Sequence, residues 1–437
     1  MRQYESYKDS GVEWIGKIPS QWKTMPLKRY GHFNKGLTFT KAELVDEGNA
    51  VVSYGQVHSK QNSGTTLSDE LIRYIPDSIA NNDNSIVRQG DFIFADTSED
   101  LDGSGNVVYI DRDEKIYGGY HTVLFQTPNS NNKYLAYLFT TDCWRSQIRS
   151  RVSGVKVFSI TQSILGLSSI ILPPVKEQQA MVAYLDEKTS RIDRIIKSRE
   201  EKIKLLEELR TSIISHAVTK GIRKDVEMKD SGIDWIGRIP KHWEVRRLKY
   251  IGKAENGLTY SPKDVCDESG VMVLRSSNIQ NEKIDLSDRV YVKSAPVNLL
   301  VKKGDIIICS RNGSVSLVGK SALVEDDIYA TFGAFMLRLN TKYYSKYIYF
   351  LVSDAIKHYK GLYSTTTINQ LTLGMFSQMY APFAPSIEEQ KEIANTILNR
   401  TKQIECNITK AHKEISLLKE YRNSLITEVV TGKRKVI

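Results

Sequence analysis

The chain has 437 residues, more than one hydrophobic core usually organises, and its 41% hydrophobic and 26% charged residues fit a globular multidomain protein, not a disordered or fibrous one. Lys and Arg number 61 against 51 Asp and Glu, and the resulting formal charge of +10 favours a polyanionic partner. No run of 18 apolar residues exists, Met1-Arg2-Gln3-Tyr4-Glu5 has no apolar signal core, and Cys143, Cys266, Cys309 and Cys406 form no C-x-x-C pair; the expectation is a cytoplasmic chain with no membrane span, no disulfide framework and no metal site.

The N-terminal segment returns later in the chain. Lys8 to Trp22 reads KDSGVEWIGKIPSQW and Lys229 to Trp243 reads KDSGIDWIGRIPKHW, identical at 10 of 15 positions. Gly36-Leu37-Thr38-Phe39 then matches Gly257-Leu258-Thr259-Tyr260. The middles of the two repeats have drifted, but both read as short strands punctuated by Gly, Asn and Ser. Gly90-Asp91 and Gly304-Asp305 each read as a turn into a buried strand, and Lys133 to Arg149 and Lys346 to Tyr359 as helices.

Similarity resumes at the ends, where Pro174-Val-Lys-Glu177-Gln178-Gln179 aligns with Pro385-Ser-Ile-Glu388-Glu389-Gln390. Glycine and proline then vanish for about forty residues and a heptad pattern takes over. In the first repeat its apolar positions include Leu185, Ile192, Ile196, Ile203, Leu206 and Ile213; in the second, Ile397, Ile404, Ile408, Ile415, Leu418 and Leu425. Arg210 and Arg422 interrupt both stripes at matching places, either as register or partner devices or, as expected here, with stems over apolar surface and heads in water. A helix from Glu177 to Thr219 spans roughly 60 Å at 1.5 Å per residue. So long a stripe must be buried, and its own duplicate, packed antiparallel, is the partner that chain path allows. The expected domains are residues 1–173 and 222–384, two mixed α/β modules, with helical regions at 174–221 and 385–437.

Two modules on a rigid spacer suit a two-part DNA site, whose halves lie on one face of the duplex about one helical turn apart. The whole arrangement resembles the specificity subunit of type I restriction-modification systems, through the KDSG-[VI]-[ED]-W-I-G-[KR]-I-P motifs, the aligned segments at Pro174 and Pro385 and the duplicated helices. The resemblance implies an α+β fold: two pseudo-two-fold-related target recognition domains separated by an antiparallel two-helix coiled coil. It implies double-stranded DNA, two methyltransferase subunits and restriction/translocase subunits as partners. S-adenosylmethionine, ATP and Mg²⁺ would belong to those partners, with no cofactor in this chain and no catalysis by it.

No catalytic motif in the chain is complete. Gly313 to Ser321 looks like a phosphate loop but separates its glycines by five residues where four are required, and reads as a β-turn. Glu200-Glu201-Lys202 lies on the coiled coil as a solvated face. A self-contained tandem nuclease or methyltransferase, or a coiled-coil adaptor without DNA binding, are the alternative functions. Candidate base or phosphate contacts are polar loop residues. In the first module these are Gln56, His58 and Lys60, after the strand Ala50 to Tyr54, and Lys156. In the second they are Arg275, Ser276 and Asn278, then Arg311, Asn312, Thr365 and Thr366. Trp14, Trp22, Trp235 and Trp243 read as packing residues.

Overall fold

The repeated Lys-Asp-Ser-Gly segment folds the same way twice in the computed structural model, which describes residues 3–363 and 369–436. Tyr7–Asp9 pairs antiparallel with Lys17–Pro19, and Met228–Asp230 with Arg238–Pro240. The turns need left-handed backbone, which glycine adopts without steric cost: φ is 74° and 69° at Gly11 and Gly16, 73° and 63° at Gly232 and Gly237. The Asp9 and Asp230 carboxylates accept from the Gly11 and Gly232 amides at 2.8 and 2.9 Å. Each hairpin delivers two buried isoleucines, Ile15 with Ile18 or Ile236 with Ile239, and one fully buried tryptophan, Trp22 or Trp243. Next, Lys23–Pro26 pairs with Ser169–Leu172, and Glu244–Arg247 with Tyr380–Phe383. The strand after the hairpin and the last strand of each module thus lie side by side, and the chain leaves for its long helix close to the hairpin.

The chain divides into two compact units, Met1–Arg199 with His412–Ile437, and Glu200–Ala411. The first holds two four-stranded sheets. One is antiparallel, ordered Val107–Tyr109, Phe92–Ala95, Thr122–Gln126, His32–Lys35; the other is ordered Arg73–Ile75, Asn49–Val52, Ile116–Gly118, Ile86–Val87, with its central pair parallel. Val52 and Ile116 of the second sheet share a core with Ile93, Val108 and Leu124 of the first. The second unit repeats the scheme. Lys253–Asn256, Met336–Asn340, Ile306–Cys309 and Ser321–Leu323 form the antiparallel sheet, and Val271–Leu274 runs parallel to Ala330–Phe332 in the other. The Gly-Asp turns explain part of this sameness. Gly90 and Gly304 have φ of 98° and 91°. Asp91 accepts from the Arg88 and Thr127 amides, and Asp305 accepts from the Lys302 amide, all at 2.8–2.9 Å.

The two long helices are Val175–Lys220 and Ile387–Val430. In the first unit the start of the first helix lies against the end of the second, antiparallel, with ion pairs Asp193–Arg422 at 3.0 Å and Arg199–Glu414 at 2.7 Å. In the second unit the other ends meet in the same sense, through Arg210–Glu405 at 3.2 Å and Arg223–Glu392 at 3.1 Å. Leu185, Ile192, Ile196, Ile203, Ile397, Ile404, Ile415 and Leu425 are buried, while Leu206, Ile213, Ile408 and Leu418 are half-buried.

The structure departs from the sequence reading at four points. Near its end the first helix buries Ile214, Ala217 and Val218 in the core of the second module, with Trp243 and Ile397, and Ile213 moves to the flank; a straight helix advances 3.6 residues per turn and drifts off a 3.5-residue repeat. Arg210 and Arg422 hold carboxylates instead of water. Lys133 to Arg149 is two helices, Lys133–Phe139 and Asp142–Arg149, because the Thr141 hydroxyl accepts from the Trp144 amide and restarts the helix. Finally, the counterpart of Glu177 is Glu389, not Glu388. Each takes the indole N–H of its module's buried tryptophan, since Ser386 caps the second helix one residue past Pro385.

Placing Glu at Ile196, only 8% exposed, buries a charge with no partner, and Ile196→Glu should cost several kcal/mol in chemical denaturation. Unchanged stability would mean that the stripe is not covered as described.

Candidate nucleic-acid interface

In the first module the segment after Asn49–Val52 opens with a helical turn, Tyr54–Val57. Gln56 lies in it and its side chain accepts from the Ser53 amide at 3.2 Å, so it serves as a cap. His58 Nε2 is 2.9 Å from the Thr97 carbonyl and its Nδ1 is 3.0 Å from the Asn106 amide group. That pattern suits the neutral tautomer, with Nε2–H donating and Nδ1 accepting, and it uses both ring nitrogens inside the module. Lys60 is exposed, as is Lys156 on the turn before Phe158–Ser159. Phe158–Ser159 pairs with Thr97–Ser98, so this pairing and the His58 bond bring the segments carrying Lys60 and Lys156 together around Thr97–Ser98.

Sequence reasoning missed two features there. His121, a non-glycine residue with φ of 54°, projects beside Asp96 at 3.3 Å and is well exposed. Burial, then the charges of Glu99, Asp100 and Asp96, push the Tyr54 phenol upward, which marks a local acidic surface. Carboxylates there can accept from base amino groups but repel phosphate.

The second module gathers its candidates in the same way. Asn278 is fully buried: its carbonyl accepts from the Arg275 amide, and its NH₂ donates to the Asp285 and Asp288 carbonyls at 2.9 and 2.7 Å. It shapes the loop from within. Arg275 pairs with Asp288 at 2.7 Å. The Asn312 amide donates to the Ser276 hydroxyl at 3.2 Å, joining two candidate segments. Arg311 stands over the half-exposed ring of Phe335, 5.0 Å from its centroid, and Phe335 is a second aromatic the sequence reading passed over. Arg311 also forms an isolated antiparallel β-bridge with Gln370. Thr365 and Thr366 lie outside the described residues.

The tryptophans divide. Trp22 and Trp243 are buried and donate to Glu177 and Glu389 at 3.1 and 3.0 Å. The Tyr4 hydroxyl also donates to Glu177; burial and that carboxylate push the phenol up. His242 Nε2 lies 3.0 Å from Glu389. Trp14 is 42% exposed, and Trp235 stacks on His358 at 4.3 Å. Among the described residues no group of three or more His, Cys, Asp or Glu could hold a metal ion, and no helix is long and apolar enough to cross a membrane. The Gly313 to Ser321 stretch contains the 3-10 turn Val315–Leu317 between paired strands.

The type I restriction modification DNA specificity domain matches the chain twice, over residues 19–205 and 240–416. The chain belongs to that family. Family members similar to it include the type I restriction enzyme EcoKI specificity subunit of Escherichia coli, 27% identical over 209 residues, covering 45% of this chain and 44% of that protein. Another is the MjaVIII specificity subunit of Methanocaldococcus jannaschii, 24% identical over 302 residues, covering 67% and 68%. The chain thus spans under half the length of the first relative and about two thirds of the second. A chain solved under the description "Structural basis underlying complex assembly and conformational transition of the type I R-M system" shares the fold, with a TM-score of 0.64, 15% identity, and coverage of 94% of this chain and 98% of that one.

Within this specificity-family fold, loop-shaping and free polar residues should separate by stability. Asn278→Ala strands the Arg275 amide and two carbonyls and should lower unfolding free energy by about 1–3 kcal/mol, whereas Lys60→Ala should change it by less than about 0.5 kcal/mol. Equal effects in denaturant titrations would contradict the division.

Proposed function

We propose that this chain is the specificity subunit of a type I restriction-modification complex. It reads a two-part sequence in double-stranded DNA and directs adenine N6 methylation, or cleavage of unmodified DNA, by partner subunits. The reading is carried by one observation: two matches to the specificity domain coincide with two modules whose antiparallel sheets share one strand order and whose surface segments differ at equivalent places. Equivalent frames with different polar segments suit two different half-sites. Lys60, Lys156 and Arg311 are offered as phosphate or base contacts, with His121, Phe335 and Ser276 around them.

The chain performs no reaction of its own in this account. S-adenosylmethionine, ATP and Mg²⁺ are bound by the partners, and the complex works in the cytoplasm. Two methyltransferase subunits dock on the long helices and restriction/translocase subunits join them. A repeated apolar pair supports two equivalent docking places. In the second unit Leu205 and Leu209 are 64% and 50% exposed, and at the matching helix positions in the first unit Leu417 and Tyr421 are 54% and 53% exposed. Long apolar side chains left in water at i and i+4 on a charged helix fit a protein partner.

Mapping N6-methyladenine in the host genome with and without the gene should show one bipartite motif disappear. Replacing residues 48–163 with those of a relative should then change one half of the motif only; a change in both halves would refute modular reading. The pair Leu209→Asp and Tyr421→Asp should abolish co-purification of methyltransferase subunits while leaving the melting temperature of the isolated chain in place. Undiminished co-purification would remove these residues from the docking surface.

A further inference from the structure

The excursion that carries Arg275 and Ser276 continues into a hairpin, Ile279–Gln280 paired with Lys283–Ile284. Its two-residue turn is Asn281-Glu282, with φ of 50° and 62°. A turn of this kind is normally built from Asn-Gly, and glutamate at its second position sits in backbone that glycine supplies without strain. The side chain accounts for the choice. The Glu282 carboxylate faces the Arg210 guanidinium as a fork, Nη1 to Oε1 at 3.0 Å and Nη2 to Oε2 at 2.5 Å, and the Tyr349 hydroxyl lies 3.4 Å from Oε2. Arg210 Nε turns the other way, to Glu405 at 3.2 Å. One guanidinium in the first long helix therefore grips the second helix and the hairpin tip together. Burial pushes the Glu282 carboxyl up, and the hydrogen bonds and charge of Arg210 more than offset it, leaving the group below its usual range.

The hairpin is joined to the rest of the candidate interface. Its base is shaped by Asn278 and the Arg275–Asp288 pair, and Ser276 accepts from Asn312. Among the described residues the arrangement has no twin. Arg422, at the matching position of the second helix, holds Asp193 of the facing helix at 3.0 Å, and among the described residues no hydrogen bond or ion pair ties it to the first module's excursions.

We propose that Arg210 and Glu282 are positioning residues for recognition by the second module: together they fix the excursion bearing Arg275 and Ser276 against the long helix and so set the reading surface for its half-site. The inference rests on the function proposed above. Bidentate Arg–carboxylate geometry resists rotation as well as separation, which is what a strut requires.

Glu282→Gly tests it, because glycine suits the turn and keeps the hairpin while cutting the tie. Arg210→Met cuts the same tie from the helix side, and Arg422→Met serves as control. Each full-length variant is assembled with its methyltransferase subunits. Methylation is then measured on duplexes bearing the full target or single base changes in either half. Glu282→Gly and Arg210→Met should lower discrimination within the second module's half-site about fivefold or more, the size of one lost base contact, with the first half-site unchanged. Arg422→Met should leave both unchanged. Unaltered discrimination in Glu282→Gly, or equal loss at both half-sites, overturns the inference. A wild-type complex with no preference for any duplex overturns the proposed function and the inference with it.

Discussion

Everything in this fold depends on covering the ends of two long amphipathic helices. The helices start and stop inside the modules, where each end must satisfy both its apolar stripe and its free backbone groups. At both starts the solution is one buried carboxylate. Glu177 and Glu389 sit in the first helical turn, where a negative charge is favoured, and each accepts the indole N–H of a fully buried tryptophan. Hydrogen bonds to charged groups contribute about 1.5–3 kcal/mol, enough for one such pair to hold a helix direction. At the ends, apolar residues do the work: Ile214, Ala217 and Val218 in the second unit, Val429 and Val430 in the first. The glycine and isoleucine pattern of the repeated N-terminal motif has its reason here, since that hairpin presents the tryptophan to the carboxylate.

The repeated frame was readable because its residues have few substitutes. Left-handed turns need Gly11, Gly16, Gly232 and Gly237, the Gly-Asp turns need both their residues, and a long stripe needs a partner. The errors arose where one residue can serve two ends. The hydroxyl of Thr141 caps a helix as readily as it sits inside one, so the break before Asp142 was invisible. A single extra residue, Ser386, moved the helix match by one, although the heptad spacing already carried the correct offset at Leu185 and Ile397. Arg210 and Arg422 looked like flexible covers because their carboxylate partners are distant in sequence.

The candidate interface was less legible for a chemical reason. Asn and His are chosen by loops to bind their own backbone as often as to meet a ligand, and both uses look alike in a polar stretch. Asn278 and His58 proved to be spent on internal bonds, while Lys60 and Lys156 are exposed and Arg311 lies half-buried over Phe335. His121 and Phe335 carried a faint signal, each lying close to a glycine before a strand of the antiparallel sheet, but only the fold shows that they stand beside Asp96 and Arg311. The two units thus combine a common frame with private surface segments, and in the second that segment is tied to the helices by a charge pair.

The central claim is that each module is completed by the far end of the other repeat's helix. Amide hydrogen exchange on full-length Val430→Asp tests it most directly, because the Val430 side chain is fully buried where its carbonyl accepts from Tyr134 of the first module at 2.9 Å. The account predicts that Lys133–Phe139 loses protection while Ser345–His358 in the second module keeps it. Loss of protection in Ser345–His358 with Lys133–Phe139 unaffected would contradict it.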